Sequence, residues 1–138
     1  MKRYLIAAAI ALTTSQVSAM DSLTQFHWVN RVLILNGSAD SAAFEQQVAV
    51  LKSRSNDLAE RDMVVLHVSD DEVRTIYGAA QKVDADALKS QAQLNGSGFQ
   101  VVLVGKDGGV KLRSNTAISD VELFDIIDRM PMRQAEND

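Results

Sequence analysis

Trp28, Arg31 and Arg61 are the residues whose types best fit a binding site. An aromatic face beside guanidinium groups forms a cleft that can receive a carboxylate or a phosphate, because guanidinium binds both anions through paired hydrogen bonds. For a single tryptophan the commoner arrangement is structural, with the indole closing one end of the core and an arginine stacked on it. The sequence leaves both interpretations open.

A second candidate is the turn at residues 106–109 (KDGG). Exposed backbone N–H groups in such a turn can bind an anion, and Lys106, Lys111 and Arg113 would add positive charge around them. The simpler interpretation is a β-hairpin, in which the Asp-Gly pair supplies the backbone angles and the lysines keep the turn soluble. Because Asp-Gly between two apolar runs needs no further reason, the hairpin is favoured.

A third candidate is the segment at residues 130–133 (MPMR). Thioether side chains pack against varied partners, so Met132 together with Arg133 would form an adaptable contact surface. Alternatively, Pro131 stops a helix and the methionines cover the core. The residue types do not decide between the two.

Several kinds of chemistry are excluded or disfavoured by composition. The chain has no cysteine, which removes thiol redox chemistry, thiolate nucleophiles and cysteine-ligated metals. His67 with Asp70 and Asp71 has the residue types of a metal site, but no ligand spacing recurs, so we predict no metal and no cofactor. Ser38 or Ser69 would need a histidine within reach to act as a nucleophile. We therefore assign no catalytic residue.

The beginning of the chain has the three-part pattern of a secretory signal peptide. Lys2 and Arg3 precede an apolar run at residues 4–12, and small residues at 17–19 predict cleavage after Ala19. Removing this segment lowers the basic residues from 14 to 12 against 18 acidic ones, a net charge near −6. We expect a periplasmic or secreted protein without a membrane anchor after cleavage. The acidic balance argues against a nucleic-acid partner.

Residues 20–138 are expected to form one domain that positions these candidates. The predicted order is strand, helix, strand, helix, strand, strand, helix, with strands at residues 31–36, 63–68, 99–104 and 110–113. Helices are expected from a cap at Asp40 or Ser41 to about Leu58, from Asp84 to Leu94, and from a capping box at Ser119 to Pro131. Residues 69–98 give weak signals, with a turn or a short helix after Asp70. This order predicts an α/β domain of the thioredoxin-like class, with three layers and a mixed four-stranded sheet flanked by helices.

Two stretches carry a family resemblance: residues 99–113 (FQVVLVGKDGGVKLR) and residues 127–134 (IDRMPMRQ). They resemble the DUF4174 family of bacterial exported proteins, whose domain is related to the C-terminal domains of sushi-repeat-containing and coiled-coil-domain-containing matrix proteins. The resemblance implies a thioredoxin-like fold with distant peroxiredoxin relations, and it implies no activity. Residues 37–40 (GSAD) stand where thioredoxins have Cys-x-x-Cys, and Gly98-Phe99 replaces the proline before the third strand.

These features together predict an exported, non-redox module that binds an unidentified envelope or extracellular protein. An enzyme with non-thiol chemistry, hydrolytic or peroxide-related, at an Arg/Lys-rich pocket is the alternative, and a binder of small anions is a third. The candidate binding residues are Trp28, Arg31, Arg61, Lys106, Lys111, Arg113, Met132 and Arg133.

Overall fold

A computed structural model describes residues 21–137, and its centre is one five-stranded sheet. The strands are β1 (Arg31–Asn36), β2 (Met63–Ser69), β3 (Glu72–Tyr77), β4 (Gln100–Val104) and β5 (Val110–Ser114). Their order across the sheet is β3-β2-β1-β4-β5. β1 and β2 are parallel, and the other three neighbouring pairs are antiparallel. The sheet is therefore mixed, with β1 at its centre.

Helices lie on both faces of this sheet. A short 3₁₀ helix (Asp21–Phe26) precedes α1 (Ala42–Lys52), α2 (Ser55–Glu60), α3 (Ala85–Gln91), α4 (Asp120–Asp128) and α5 (Pro131–Glu136). Three helices begin at the expected capping residues, since side-chain oxygens of Ser41, Asp84 and Ser119 accept backbone N–H groups of the first turn. None of the helices within residues 21–137 is long and apolar enough to cross a membrane.

The core consists of two apolar layers separated by the sheet. Every residue of β1 is buried, so its alternating side chains serve both layers. Val32 and Ile34 pack in one layer with residues of the 3₁₀ helix and α3. Leu33 and Leu35 pack in the other with residues of α1, α2 and α4. The predicted three-layer, thioredoxin-like α/β class is thereby confirmed.

The sheet has five strands instead of the four predicted. The additional strand is β3, in the stretch where a turn or a short helix was expected. β3 is an edge strand with half-buried and exposed residues, so its sequence (EVRTIY) lacks the apolar run that marked the other strands. Asp70 adopts a left-handed backbone conformation (φ 51°) in the tight turn that joins β2 to β3.

Helix boundaries differ from the prediction in three places. The helix expected to reach Leu58 is interrupted after Lys52, where Ser53 donates its hydroxyl to the carbonyl of Val50 and Arg54 leaves helical geometry. The helix after Asp84 ends at Gln91, before the expected Leu94. The helix expected to reach Pro131 ends at Asp128, and Pro131 instead lies in the first turn of α5. A backbone N–H in the first turn has no partner within the helix, so proline is tolerated there. The predicted signal peptide and its cleavage site lie outside the described residues.

Candidate functional site

Four of the predicted binding residues meet at the end of the sheet where β1 and β2 begin, which we call the amino end. Arg31 is the first residue of β1, and Arg61 lies just before β2. Lys106 is in the β4–β5 turn, and Arg133 is in α5. All four are buried, and their cationic groups bind carboxylates of this chain. We refer to these four cations and their carboxylate partners as the ion-pair network.

Glu136 joins the network to the centre of the sheet. Nη2 of Arg31 lies 3.0 Å from a carboxylate oxygen of Glu136, and Nη1 donates to the carbonyl of Arg61 at 3.0 Å. Nζ of Lys106 binds the same carboxylate and also lies 2.8 Å from Asp62. One carboxylate of α5 thus neutralises two cations beneath it.

The second half of the network explains the arginine of the C-terminal motif. Arg133 is 4% exposed; it donates to the Glu60 carbonyl at 3.1 Å and binds the Glu60 and Asp128 carboxylates. Arg61 binds Asp128 at 2.9 Å while its guanidinium lies over the ring of Phe124. Arg133 therefore fastens α5 to the body of the protein.

The network lowers the pKa of two of its carboxyl groups, Glu136 and Asp128. Partial burial alone would raise the pKa of Glu136, but hydrogen bonds from Lys106 and Arg31 outweigh it and place that pKa below its ordinary value. The hydrogen bond from Arg61 is the main reason why the pKa of Asp128 is lowered, and Arg133 adds to it. Both carboxylates are thus ionised at neutral pH.

The turn between β4 and β5 uses its backbone donors internally. The N–H of Gly105 donates to the carbonyl of Gly109, and the N–H of Gly108 donates to the carbonyl of Gly105. The N–H of Gly109 donates to the side chain of Asp107, which also binds Lys111 at 2.9 Å. Gly108 adopts φ 81°, a left-handed conformation that favours glycine. The hairpin interpretation therefore accounts for this turn.

A groove of about 610 Å³ runs along the amino end beside the ion-pair network. We call it the Trp28 groove, and the residues along it that matter below are Trp28, Arg31, Lys111, Ile126, Arg129 and Met132. Apolar side chains from the end of α4 and the start of α5 line the groove together with the indole of Trp28, three residues before β1. Its volume lies within the range of small-molecule and peptide pockets.

Trp28 does not close the core. Its side chain is 68% exposed, and its backbone has φ 65°, a conformation that costs a bulky residue about 1–3 kcal/mol. The backbone N–H of Trp28 donates to the backbone carbonyl of Lys106 at 2.8 Å, and this hydrogen bond fixes the position of the residue beside the groove. Met132, 38% exposed, is a second large apolar side chain at the groove.

The remaining predicted residues divide between the groove and the rest of the molecule. Lys111 lines the groove, whereas Arg113 lies further along β5, exposed, beside a separate depression. Sequence reasoning did not place Ile126 or Arg129 in a site, and for Met130 it left open a contact surface or the core. Ile126, Arg129 and Met130 have helical spacing at the end of α4 and just beyond it, but that spacing is equally typical of core residues.

The opposite end of the sheet, which we call the carboxyl end, holds the other polar residues considered. Nε2 of His67 lies 2.7 Å from the carbonyl of Gly37, and its ring packs on Phe44. Asn36 donates to the carbonyls of Gly96 and Gly98. No group of three His, Asp or Glu residues suited to a metal ion occurs within residues 21–137.

Comparisons with known proteins agree with this fold. A family model described as "Domain of unknown function (DUF4174)" matches residues 22–136. Among solved structures, the reduced 2-Cys peroxiredoxin of Plasmodium vivax is similar, with a TM-score of 0.58 and 19% sequence identity over 84% of this chain and 85% of that chain. At this identity the similarity shows the fold alone. The resemblance predicted from the two sequence stretches is confirmed.

Proposed function

This chain belongs to the DUF4174 family, and we propose that it is a non-catalytic module that binds an apolar segment of a partner protein in the Trp28 groove. The observation that carries the proposal is Trp28 itself. A large indole, mostly exposed and held in an unfavourable backbone conformation, contributes little to folding. Strained residues that persist in a fold concentrate at functional sites.

The composition of the groove favours a protein partner. Tryptophan, methionine and arginine are the residues enriched at protein–protein interfaces, and Trp28, Met132 and Arg129 supply one of each. Methionine adapts its shape to different side chains, which suits a groove that receives a peptide segment. The acidic balance of the chain disfavours nucleic acid as the occupant.

The geometry gives less support to an enzyme. Trp28, Arg31 and Lys106 line one concavity, but the guanidinium of Arg61 lies outside it, against Phe124. Two cations of the ion-pair network also line the groove. Arg31 is already bound to Glu136, and Lys106 is already bound to Asp62. The groove lining contains no hydroxyl, thiol or imidazole group, so it holds no serine, threonine or cysteine nucleophile and no histidine base.

We further propose that the module acts outside the cytoplasm, on a protein of the envelope or the medium. The support is the order of charge, apolar run and small residues in residues 1–19. The mass of the protein recovered from the exported fraction tests this, because cleavage after Ala19 leaves Met20 as the first residue. A full-length mass in the cytoplasmic fraction alone would contradict it.

A random peptide library displayed on phage tests the binding function. Selection on the wild-type protein, with depletion on Trp28→Gly, is expected to enrich peptides with neighbouring apolar residues. Because the chain has a single tryptophan, its emission reports on the groove alone, and bound peptide should shift it to shorter wavelength.

The control is Val121→Ala, which shortens an apolar side chain that is 63% exposed on α4 and does not line the groove. This variant should bind the selected peptides as the wild type does. If no peptide is enriched over the Trp28→Gly depletion, or if the enriched peptides leave the emission of Trp28 unchanged, the proposed function is wrong.

A further inference from the structure

The groove carries one positive charge that no carboxylate within residues 21–137 neutralises. Four basic residues line it, and three of them, Arg31, Lys106 and Lys111, have a carboxylate of the same chain within 3.0 Å. The fourth, Arg129, is exposed and forms no ion pair among the described residues. It follows the last turn of α4, where the helix dipole also favours a cation.

We infer that the segment bound in the groove carries a carboxylate next to its apolar side chains, and that Arg129 binds this carboxylate. The inference rests on the proposed function and specifies its ligand. Apolar side chains of the segment contact Trp28 and Met132, and the carboxylate accepts paired hydrogen bonds from the guanidinium. Arginine is suited to this role because its planar donors match the two carboxylate oxygens.

A second donor in the groove is consistent with an oxygen-bearing ligand. Nε of Arg31 is buried and has no hydrogen-bond partner within residues 21–137, although both terminal nitrogens of the same guanidinium are bound. A buried N–H without an acceptor costs free energy, and native proteins contain few of them. Arg31 lines the groove, so this buried N–H adds positive potential at the groove wall, which favours a ligand that carries an acidic oxygen.

The experiment compares peptides obtained from the phage selection with copies in which every Asp or Glu is replaced by Asn or Gln. Both sets are titrated into the wild type and Arg129→Gln, with the emission of Trp28 as the signal. On the wild type we expect the acidic peptides to bind about tenfold more tightly, a factor equal to about 1.4 kcal/mol, which is near the lower limit for a hydrogen bond to a charged group. On Arg129→Gln the two sets should bind equally.

Arg113→Gln is the matched control, because it removes the same charge from an exposed arginine that does not line the groove. It should keep the tenfold preference. Thermal unfolding of all three proteins separates a loss of binding from a loss of folding.

Three results would overturn the inference. If the selected peptides lack acidic residues, or if they bind with the same affinity after replacement of Asp and Glu by the amides, the segment needs no carboxylate. The proposed function would still stand. A preference that persists in Arg129→Gln but is lost in Arg113→Gln assigns the contact to another residue. Sodium decanoate that shifts the emission of Trp28 when no peptide does would indicate a fatty-acid ligand, and the proposed function would fail with it.

Discussion

The two ends of the sheet differ in what their polar side chains do. At the carboxyl end, Asn36 and His67 are buried and donate to or accept from nearby backbone groups, which fixes the loops there. At the amino end, the ion-pair network joins five segments: β1, the α2–β2 connection, the β4–β5 turn, α4 and α5. Beside it the side chains of Trp28 and Arg129 are exposed and have no hydrogen bond or ion pair within residues 21–137. At the carboxyl end the polar side chains stabilise the loops. At the amino end the ion-pair network stabilises the fold, and the side chains of Trp28 and Arg129 beside it are exposed.

The contrast is informative because thioredoxins carry their cysteines at the carboxyl end, after the first strand. Here residues 37–40 lack any thiol, and Gly98-Phe99 replaces the proline there. No peptide bond within residues 21–137 is cis. The features that suit ligand binding thus lie at the opposite end from the position of redox chemistry. The predictions below test this division, from the largest expected effect to the smallest.

Glu136→Ala should cause the largest loss of stability. It removes the one carboxylate that neutralises both Arg31 and Lys106, whose side chains are 1% and 9% exposed. Removing one partner of a buried ion pair costs about 3 kcal/mol in the free energy of unfolding. Urea unfolding measures it, with Asp125→Ala on α4, which is exposed and outside the network, as the control. An equal and small loss in both variants would show that α5 is not held by this network.

Asn36→Ala should destabilise the carboxyl end without affecting the groove. The side chain is 3% exposed and donates to the carbonyls of Gly96 and Gly98 at 3.1 and 3.2 Å. Losing both hydrogen bonds of this buried amide should cost about 2 kcal/mol. The wavelength of Trp28 emission and the affinity for selected peptides should stay at wild-type values. A change in either would mean that the two ends are coupled.

Acid should weaken the amino end through Glu136 and Asp128. Their folded pKa values lie below the ordinary values of 4.5 and 3.8, so their contribution to stability is complete above those values and is lost as the pH falls through the lower folded ones. Melting temperatures measured from neutral pH downward should therefore fall less steeply in Glu136→Gln than in the wild type. Asp125→Asn should keep the wild-type slope, and identical slopes for all three proteins would contradict the assignment.

Trp28→Gly should change stability least while abolishing peptide binding. Glycine relieves the strain at φ 65° but loses more entropy on folding, so the free energy of unfolding should stay within about 1 kcal/mol of the wild type. A tryptophan that closed the core would instead cost about 3–5 kcal/mol on truncation. Thermal and urea unfolding distinguish the two, and a loss of the larger size would restore the structural interpretation of Trp28.

Local signals were sufficient for most of the fold. The apolar runs of β1, β2 and β4, the Asp-Gly turn and the capping residues Asp84 and Ser119 each depend on neighbours in sequence, and all were predicted correctly. β3 was missed because an exposed edge strand needs no apolar pattern of its own; its pairing with β2 makes it a strand. The break at Ser53 was missed because α1 and α2 share one apolar periodicity.

The site was only partly predictable. The residue types of Trp28, Arg31, Lys106 and Arg133 drew attention to the right end of the sheet, but their roles differ in ways that the sequence did not reveal. Lys106 is bound by Glu136, 30 positions away, and Arg133 is bound by Glu60, 73 positions away. Because these carboxylates neutralise them, their charges are not available to an anion. Nothing in the sequence distinguishes Arg129 from the other arginines. What sets it apart is that no carboxylate within residues 21–137 forms an ion pair with it, so its charge can bind a ligand.

The sequence by itself determined the class of fold and the absence of thiol chemistry, because strand and helix periodicity act over a few residues and a missing cysteine is a matter of composition. Only the tertiary structure decided which cations are neutralised and which remain free. That distinction depends on carboxylates brought close by folding, such as Glu136 to Arg31, 105 positions earlier. It also decided that Trp28 is exposed, because burial is a property of what packs around a side chain.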